Sequence, residues 1–147
     1  MMLLPRRALL AIAAVVDVAA HARPIPVAAK ALAARHDLPP RHLETLLQAL
    51  VRANILKGVR GPRGGYELAR ERRRISAGDI VRAAHADPEA GSEGASKLID
   101  DVIAPIVGEA GKSFLAALDG INVDELCNRA LAGKVFPDLT VKADFTI

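Results

Sequence analysis

Apolar residues recur at helical spacing over most of this chain, and the pattern gives way to a different one around residues 55–68. From Pro5 to about His21, Leu9, Leu10, Ile12, Val15, Val16 and Ala19 cover most of a helix circumference, which predicts a first helix packed against several neighbours. Arg23 to Pro26 interrupts it. Val27 to His36 predicts a short second helix with Val27, Ala31, Leu32 and Ala34 facing inward, closed by the turn Asp37-Leu38-Pro39-Pro40. The prolines suit the first turn of the next helix, where their missing N–H groups are not needed, and Asp37 lies near enough to serve its cap. That third helix, Pro40 to about Ala53, places Leu43, Leu46, Leu47 and Leu50 on one face and leaves Arg41, His42, Thr45, Gln48 and Arg52 more exposed.

Ile55–Val59 and Tyr66–Leu68 predict the two strands of a hairpin whose tip carries Arg60 and Arg63 among Gly61, Gly64 and Gly65. The glycines permit turn angles and close approach to a ligand, and Tyr66 is expected to anchor the hairpin to the helices with its hydroxyl bonded locally. Ser76 and Asp79 have capping-box spacing ahead of a fourth helix that ends near Ala86. Residues 87–96, rich in Gly, Ser, Glu and Pro, read as a mobile linker.

Beyond the linker, Leu98, Val102, Ile106, Ala110, Phe114 and Leu118 form an apolar stripe, with Pro105 kinking or restarting the helix. A long helix after a linker has little of its own domain to cover that stripe, so pairing with the same helix of a second chain is expected over intramolecular packing. Asn122 to Ala132 predicts a last short helix, and the tail from Val135 has no assignment. The expected fold is mainly α: a winged helix-turn-helix domain (1–86) with a small β-hairpin wing, the linker 87–96, and a region (97–134) built on a long C-terminal dimerisation helix, followed by the tail 135–147.

Composition supports this. Only 3% of the chain is aromatic, so the core must come from Ala, Leu, Val and Ile, which favours helices over sheets. The net charge of +3 hides an asymmetry: residues 1–86 hold 15 Lys/Arg against 6 Asp/Glu, and residues 87–147 hold 5 against 11. The basic part suits phosphates, whereas the acidic part would be repelled by them and is better placed to meet protein or ligand. A helix that enters the major groove beside a cationic hairpin that reaches backbone or minor groove suits duplex DNA.

The single cysteine, Cys127, excludes an intramolecular disulfide framework and points to a reducing, cytoplasmic setting. It reads as a small buried residue, with a redox switch as the alternative. His21, His36, His42 and His85 have no spacing that suggests a metal site. Arg6 and Arg7 before an apolar run, with Ala20-His21-Ala22 after it, resemble a signal peptide, but Asp17 breaks the run and its length cannot span a bilayer; it is read as a buried helix, with no membrane partner. No serine has a glycine elbow or a plausible His/Asp order around it, and no phosphate-binding loop is present, so the chain is not expected to be an enzyme.

Three strings carry a family resemblance: Arg41-His42-Leu43-Glu44-x-x-Leu47, Val59-Arg60-Gly61-Pro62-Arg63-Gly64-Gly65-Tyr66-Glu67-Leu68-Ala69, and Ile75-Ser76-x-x-Asp79-Ile80. In this order they resemble the Rrf2 family of bacterial winged-helix transcription regulators over almost the whole chain. The resemblance implies a homodimer on a pseudo-palindromic operator, with Arg41, His42 and Gln48 on the recognition surface and Arg60, Arg63, Gly64 and Gly65 at the wing. Pro39 stands where relatives usually have a capping serine and His42 where they often have tyrosine, so an operator sequence does not transfer.

Many relatives hold an iron–sulfur cluster on three linker cysteines. Residues 87–96 contain none, and Cys127 alone could not hold such a cluster within one chain, so no cofactor is expected. His42 serves either DNA contact or capping or packing near Asp37; Arg70, Arg72, Arg73 and Arg74 serve either phosphates or a solvated connector. The expected function is that of a sequence-specific regulator, a repressor acting by operator occupancy and responding to an unidentified small molecule or oxidant. The alternative is a winged-helix module that binds an acidic protein.

Overall fold

The computed structural model describes residues 3–23, 25–85 and 96–139. The expected linker, apart from Ser96, and the tail beyond Leu139 lie outside the described residues.

Helix α1 (Arg6–His21) begins directly after Pro5, which sits extended at the N-cap. Its buried side chains are mostly small, with Ala8, Ala11, Val15 and Val18 fully covered, so α1 packs closely against the later helices. The second helix, α2 (Ala29–His36), is shorter than its periodicity predicts. Val27 is buried, but in an extended bridge: its N–H donates to the Tyr66 carbonyl at 2.9 Å, and its carbonyl accepts the Tyr66 N–H at 2.7 Å. A residue whose backbone groups are committed to a strand cannot open a helix, and the inward face moves accordingly to Leu32 and Ala33, leaving Ala31 and Ala34 exposed.

Asp37 ends α2 in the left-handed conformation (φ 50°), where Asp is tolerated, and the Leu38 N–H returns to the Ala33 carbonyl at 3.0 Å. Asp37 therefore closes α2 and does not cap the next helix, whose N-cap is Pro39 with no side-chain hydrogen bond. Helix α3 (Pro40–Arg52) buries Leu43, Leu46, Leu47, Ala49 and Leu50. Strands β1 (Leu56–Val59) and β2 (Gly65–Leu68) pair antiparallel, with Leu56 opposite Leu68 and Val59 opposite Gly65. Lys57 and Glu67 form a cross-strand ion pair at 3.1 Å.

A short 3₁₀ turn at Arg72–Arg74 leads to α4 (Ala77–His85). Its start is a reciprocal capping box: the Asp79 N–H donates to Ser76 Oγ at 3.0 Å, and the Ser76 N–H donates to Asp79 Oδ2 at 3.1 Å. After the undescribed segment, a π-helical turn at Ile99–Ile103 runs straight into α5 (Ala104–Asp119). The Ala104 N–H bonds the Ile99 carbonyl five residues back, just before Pro105, which has no N–H to give. Helix α6 (Val123–Ala132) is capped by Asn122, whose Oδ1 accepts the Glu125 N–H at 2.9 Å.

One core cluster joins α1 to α4, β1 and α6, with Leu32, Leu43, Leu47, Leu50, Ile55 and Ile75 among its fully covered side chains. Val123, Cys127 and Phe136 belong to it. Residues 97–134 are thus not one unit: α6 packs into the winged-helix body, whereas residues 97–110 are exposed along their whole length. The α5–α6 turn is fastened to the start of α4 by two backbone bonds, Ala77 N–H to the Ile121 carbonyl at 2.7 Å and Val123 N–H to the Ile75 carbonyl at 2.9 Å.

Candidate nucleic-acid interface

With its leucine face buried, α3 presents Arg41, Thr45, Gln48 and Arg52, all exposed, at intervals that hold them in one stripe. Thr45 Oγ1 donates to the Arg41 carbonyl at 3.3 Å, which satisfies its proton inside the helix and leaves the oxygen lone pairs and the methyl to face outward. His42 is exposed beside this stripe, and among the described residues no hydrogen bond or ion pair joins it to Asp37.

The wing lies next to the C-terminal half of α3. Gln48, Val51, Arg52, Gly58 and Tyr66 line a groove of about 340 Å³ between them. Val51 is an exposed apolar side chain on this surface, a position that the leucine repeat gave no reason to single out. Tyr66 is half-buried against the core, as its anchoring role predicts, but among the described residues its hydroxyl has no hydrogen-bond partner.

At the tip, Arg60, Gly61, Pro62 and Arg63 are exposed, and the turn closes through the Gly64 N–H on the Gly61 carbonyl at 2.9 Å. Only Gly61 uses a conformation reserved for glycine (φ 116°). Gly64 and Gly65 are required for a different reason: a Cβ on Gly64 would collide with the Val59 carbonyl, and one on Gly65 with the Val27 carbonyl. They are half-buried and make the hairpin possible, leaving Arg60 and Arg63 as its outward cations.

The arginines after the wing are largely spoken for. Arg70 Nε donates to the Asn54 carbonyl at 3.1 Å, while Arg72 and Arg73 both reach Asp124 on α6, at 3.2 and 3.6 Å. Arg74 pairs loosely with Glu71 at 3.9 Å. Their geometry suits a connector that ties α6 to the body.

Cys127 is fully buried, its thiol directed at the Val16 carbonyl at 3.8 Å, and burial pushes the thiol pKa up despite the nearby Arg72. Among the described residues no group of His, Cys, Asp or Glu is arranged to hold a metal ion, and with one buried cysteine the donor set does not fit an iron–sulfur cluster. Also among the described residues, no helix is long and apolar enough to cross a membrane.

Two polar clusters went unforeseen. Asp17, read from sequence only as a break in an apolar run, is completely buried and meets Arg35, His36 and His21. At the other end of the body, Asp119 closes α5 in a bidentate pair with Arg82, at 2.7 and 2.9 Å, with the Ser76 hydroxyl at 3.4 Å. A lone acid in an apolar helix was a visible signal for the first; its partners were not.

A helix-turn-helix whose exposed polar stripe adjoins a cationic hairpin is a winged helix-turn-helix protein. Comparison with known proteins narrows the class. The Rrf2 family, described as "Iron-dependent Transcriptional regulator", matches residues 4–129. The regulator IscR of Aliivibrio salmonicida is 30% identical over 123 residues, covering 79% of this chain and 71% of IscR. A putative regulator of Synechocystis, slr0846, is 47% identical over 58 residues, 40% of each chain, and several other relatives are likewise matched over less than half of their own length. Among solved structures, T. potens IscR superposes with a TM-score of 0.69 at 32% identity, covering 90% of this chain and 91% of that one. B. subtilis CymR, described as the global cysteine regulator, shares the fold with a TM-score of 0.65 at 23% identity, over 88% and 98%. The chain belongs to the Rrf2 family, a family of transcriptional regulators and not of enzymes.

Proposed function

We propose that this regulator binds a pseudo-palindromic DNA operator as a homodimer, represses by occupying it in the cytoplasm, and does so without an iron–sulfur cluster. The observation that carries the reading is the adjacency of the α3 stripe and the wing: Gln48 and Arg52 share a groove with Gly58 and Tyr66, and Arg60 and Arg63 extend from the same hairpin. Arg41, His42, Thr45 and Gln48 are the base-reading candidates, and Arg60 and Arg63 the flanking contacts, with Gly64 and Gly65 shaping the hairpin that carries them.

The dimer is supported by the stretch that leads into α5 and by its first turn, where Leu98, Ile99, Val102, Ile103, Ile106 and Val107 stand exposed. Phe114 and Leu118, expected in the same interface, are half-buried, so the outer half of the helix carries most of the open apolar surface. The cluster-free reading rests on the single, buried cysteine. A small molecule or oxidant would act by shifting the spacing of the two recognition helices, which needs only a modest bias between states.

The test is selection of bound sequences from a random duplex library by purified, metal-free protein. Enrichment of an inverted repeat is the expected result; no enrichment by a folded dimer would overturn the reading in favour of a protein partner. On the recovered duplex, Arg63→Ala should weaken binding and lower the salt slope by about 1. An unchanged slope would remove Arg63 from the interface.

A further inference from the structure

Asp17 is the one charged side chain that the described core encloses completely. A buried carboxylate is tolerated only where its oxygens are partnered, and here both are. Arg35 donates from Nε to Oδ2 at 2.9 Å and from Nη2 to Oδ1 at 2.6 Å, a two-point grip that fixes direction as well as distance. His36 Nε2 lies 2.8 Å from Oδ2. The Asp17 hydrogen bonds push the Arg35 guanidinium further above its ordinary value, against the opposing effect of burial.

The location of these partners gives the cluster its meaning. Arg35 and His36 are the last residues of α2, followed by the left-handed Asp37 and then, after Leu38 and Pro39, by α3. A rotation of the end of α2 would carry the start of α3 with it, because the turn between them is short and closed by the Leu38 bond to Ala33. On the opposite side, His21 Nδ1 lies 3.3 Å from Asp17 Oδ1 and 2.9 Å from the Asp17 carbonyl, while its Nε2 meets Asp138 at 3.2 Å. The imidazole also stands edge-on to Phe136, with centroids 4.8 Å apart and planes at 86°. Asp138 and Phe136 belong to the segment after α6, so one carboxylate joins α1, the end of α2 and the segment that follows the C-terminal helices.

We propose that Asp17 is a positioning residue for the recognition helix, and that through His21 it lets the segment 136–139 set where α3 begins. This rests on the reading of α3 as the DNA-contacting helix. None of the Asp17 partners lies on the α3 stripe, so the effect runs through backbone placement and not through a lost contact.

The test uses the full chain, its amide NMR spectrum, and titration of the duplex recovered by selection. Asp17→Asn, which keeps the shape and removes the charge, should weaken duplex binding by about tenfold at a temperature where the helical signal is intact. The salt slope should stay unchanged, since no phosphate contact is removed. Asp138→Ala, at a side chain that is 58% exposed, should leave the melting temperature unchanged yet move the amide resonances of Arg41 to Thr45 and not those of Gly58 to Gly64. If Asp17→Asn does not fold, Arg35→Lys replaces it, because lysine keeps the charge and loses the two-point grip.

The proposal is overturned if the folded Asp17 or Arg35 variant binds as the parent does, or if Asp138→Ala leaves the Arg41 to Thr45 amides in place. A parent protein that binds no duplex would defeat the DNA reading, while the amide measurement would still decide whether the 136–139 segment sets the position of α3.

Discussion

Helices α1 and α5 are each 16 residues long and rich in apolar side chains, yet α1 buries seven of its residues and α5 none. Val15 and Val18 are fully covered, whereas Ile106 and Val107 are 66% and 61% exposed. The difference is one of side-chain size and of neighbours. Small residues such as Ala8, Ala11 and Ala14 let α4 and α6 close on α1, while the outer half of α5 leaves the bulky Ile106 and Val107 side chains exposed. An apolar helix therefore declares that it needs cover without declaring which chain supplies it.

The sharpest way to break that comparison is to charge α5. Ile106→Asp should dissociate the proposed dimer: burying one isoleucine in each subunit contributes about 3 kcal/mol or more in total, which corresponds to at least about a hundredfold in association. Sedimentation equilibrium should report the monomer mass, and the affinity for an inverted-repeat duplex should fall with it. A mass equal to that of the parent would mean that α5 is not the interface, and its exposure would need another explanation.

The next effect is smaller and lies in the body. Leu47→Ala, beneath the exposed polar stripe of α3, should cost about 3 kcal/mol in urea unfolding, because the side chain is fully enclosed and its removal leaves a cavity. Ile106→Ala, measured at a protein concentration where only monomers are present, should change unfolding by less than about 0.5 kcal/mol. Equal losses for the two variants would contradict the contrast, since Ile106 on α5 would then be as well covered within one chain as the core of the body.

The same contrast explains what could be read in advance. The leucine face of α3 and the Ser76–Asp79 capping box are short-range patterns, with every participant within a few turns, and both stand as the spacing predicts. The exposed polar stripe from Arg41 to Arg52 follows from that face by exclusion. The helical spacing of Val27 points into α2, but its partner, Tyr66, is remote in sequence and takes its backbone into an extended bridge. Asp17 was legible as an oddity, but the pairing with Arg35 and His36 depends on how α1 crosses α2. Gly65 looked like a ligand-facing glycine, and only the approach of the Val27 carbonyl gives it a packing role. The entry of α6 into the core has the same character: Cys127 shows no periodic signal strong enough to say that it would lie against Val16.

The smallest effect concerns the end of α5 that is held. Asp119 is kept below the ordinary carboxylate value, chiefly by the hydrogen bonds from Arg82 and against a smaller opposing effect of desolvation, with a further contribution from Ser76. Because its value is depressed in the folded protein, the stabilisation is present above the unfolded value and is lost as pH falls through the folded one. Exposure to solvent keeps the effect modest. Amide exchange at Ala77, which bonds the Ile121 carbonyl beside this pair, should therefore lose protection as pH falls below about 4, after correction for intrinsic exchange. Asp119→Asn should flatten that dependence, and Gly78→Ala should mimic the acid state at neutral pH, since a Cβ at residue 78 would collide with Asp119 Oδ1. Identical pH profiles in the parent and Asp119→Asn would show that the Asp119–Arg82 pair does not fasten α5, and that the backbone bonds of Ala77 and Val123 hold this end without it.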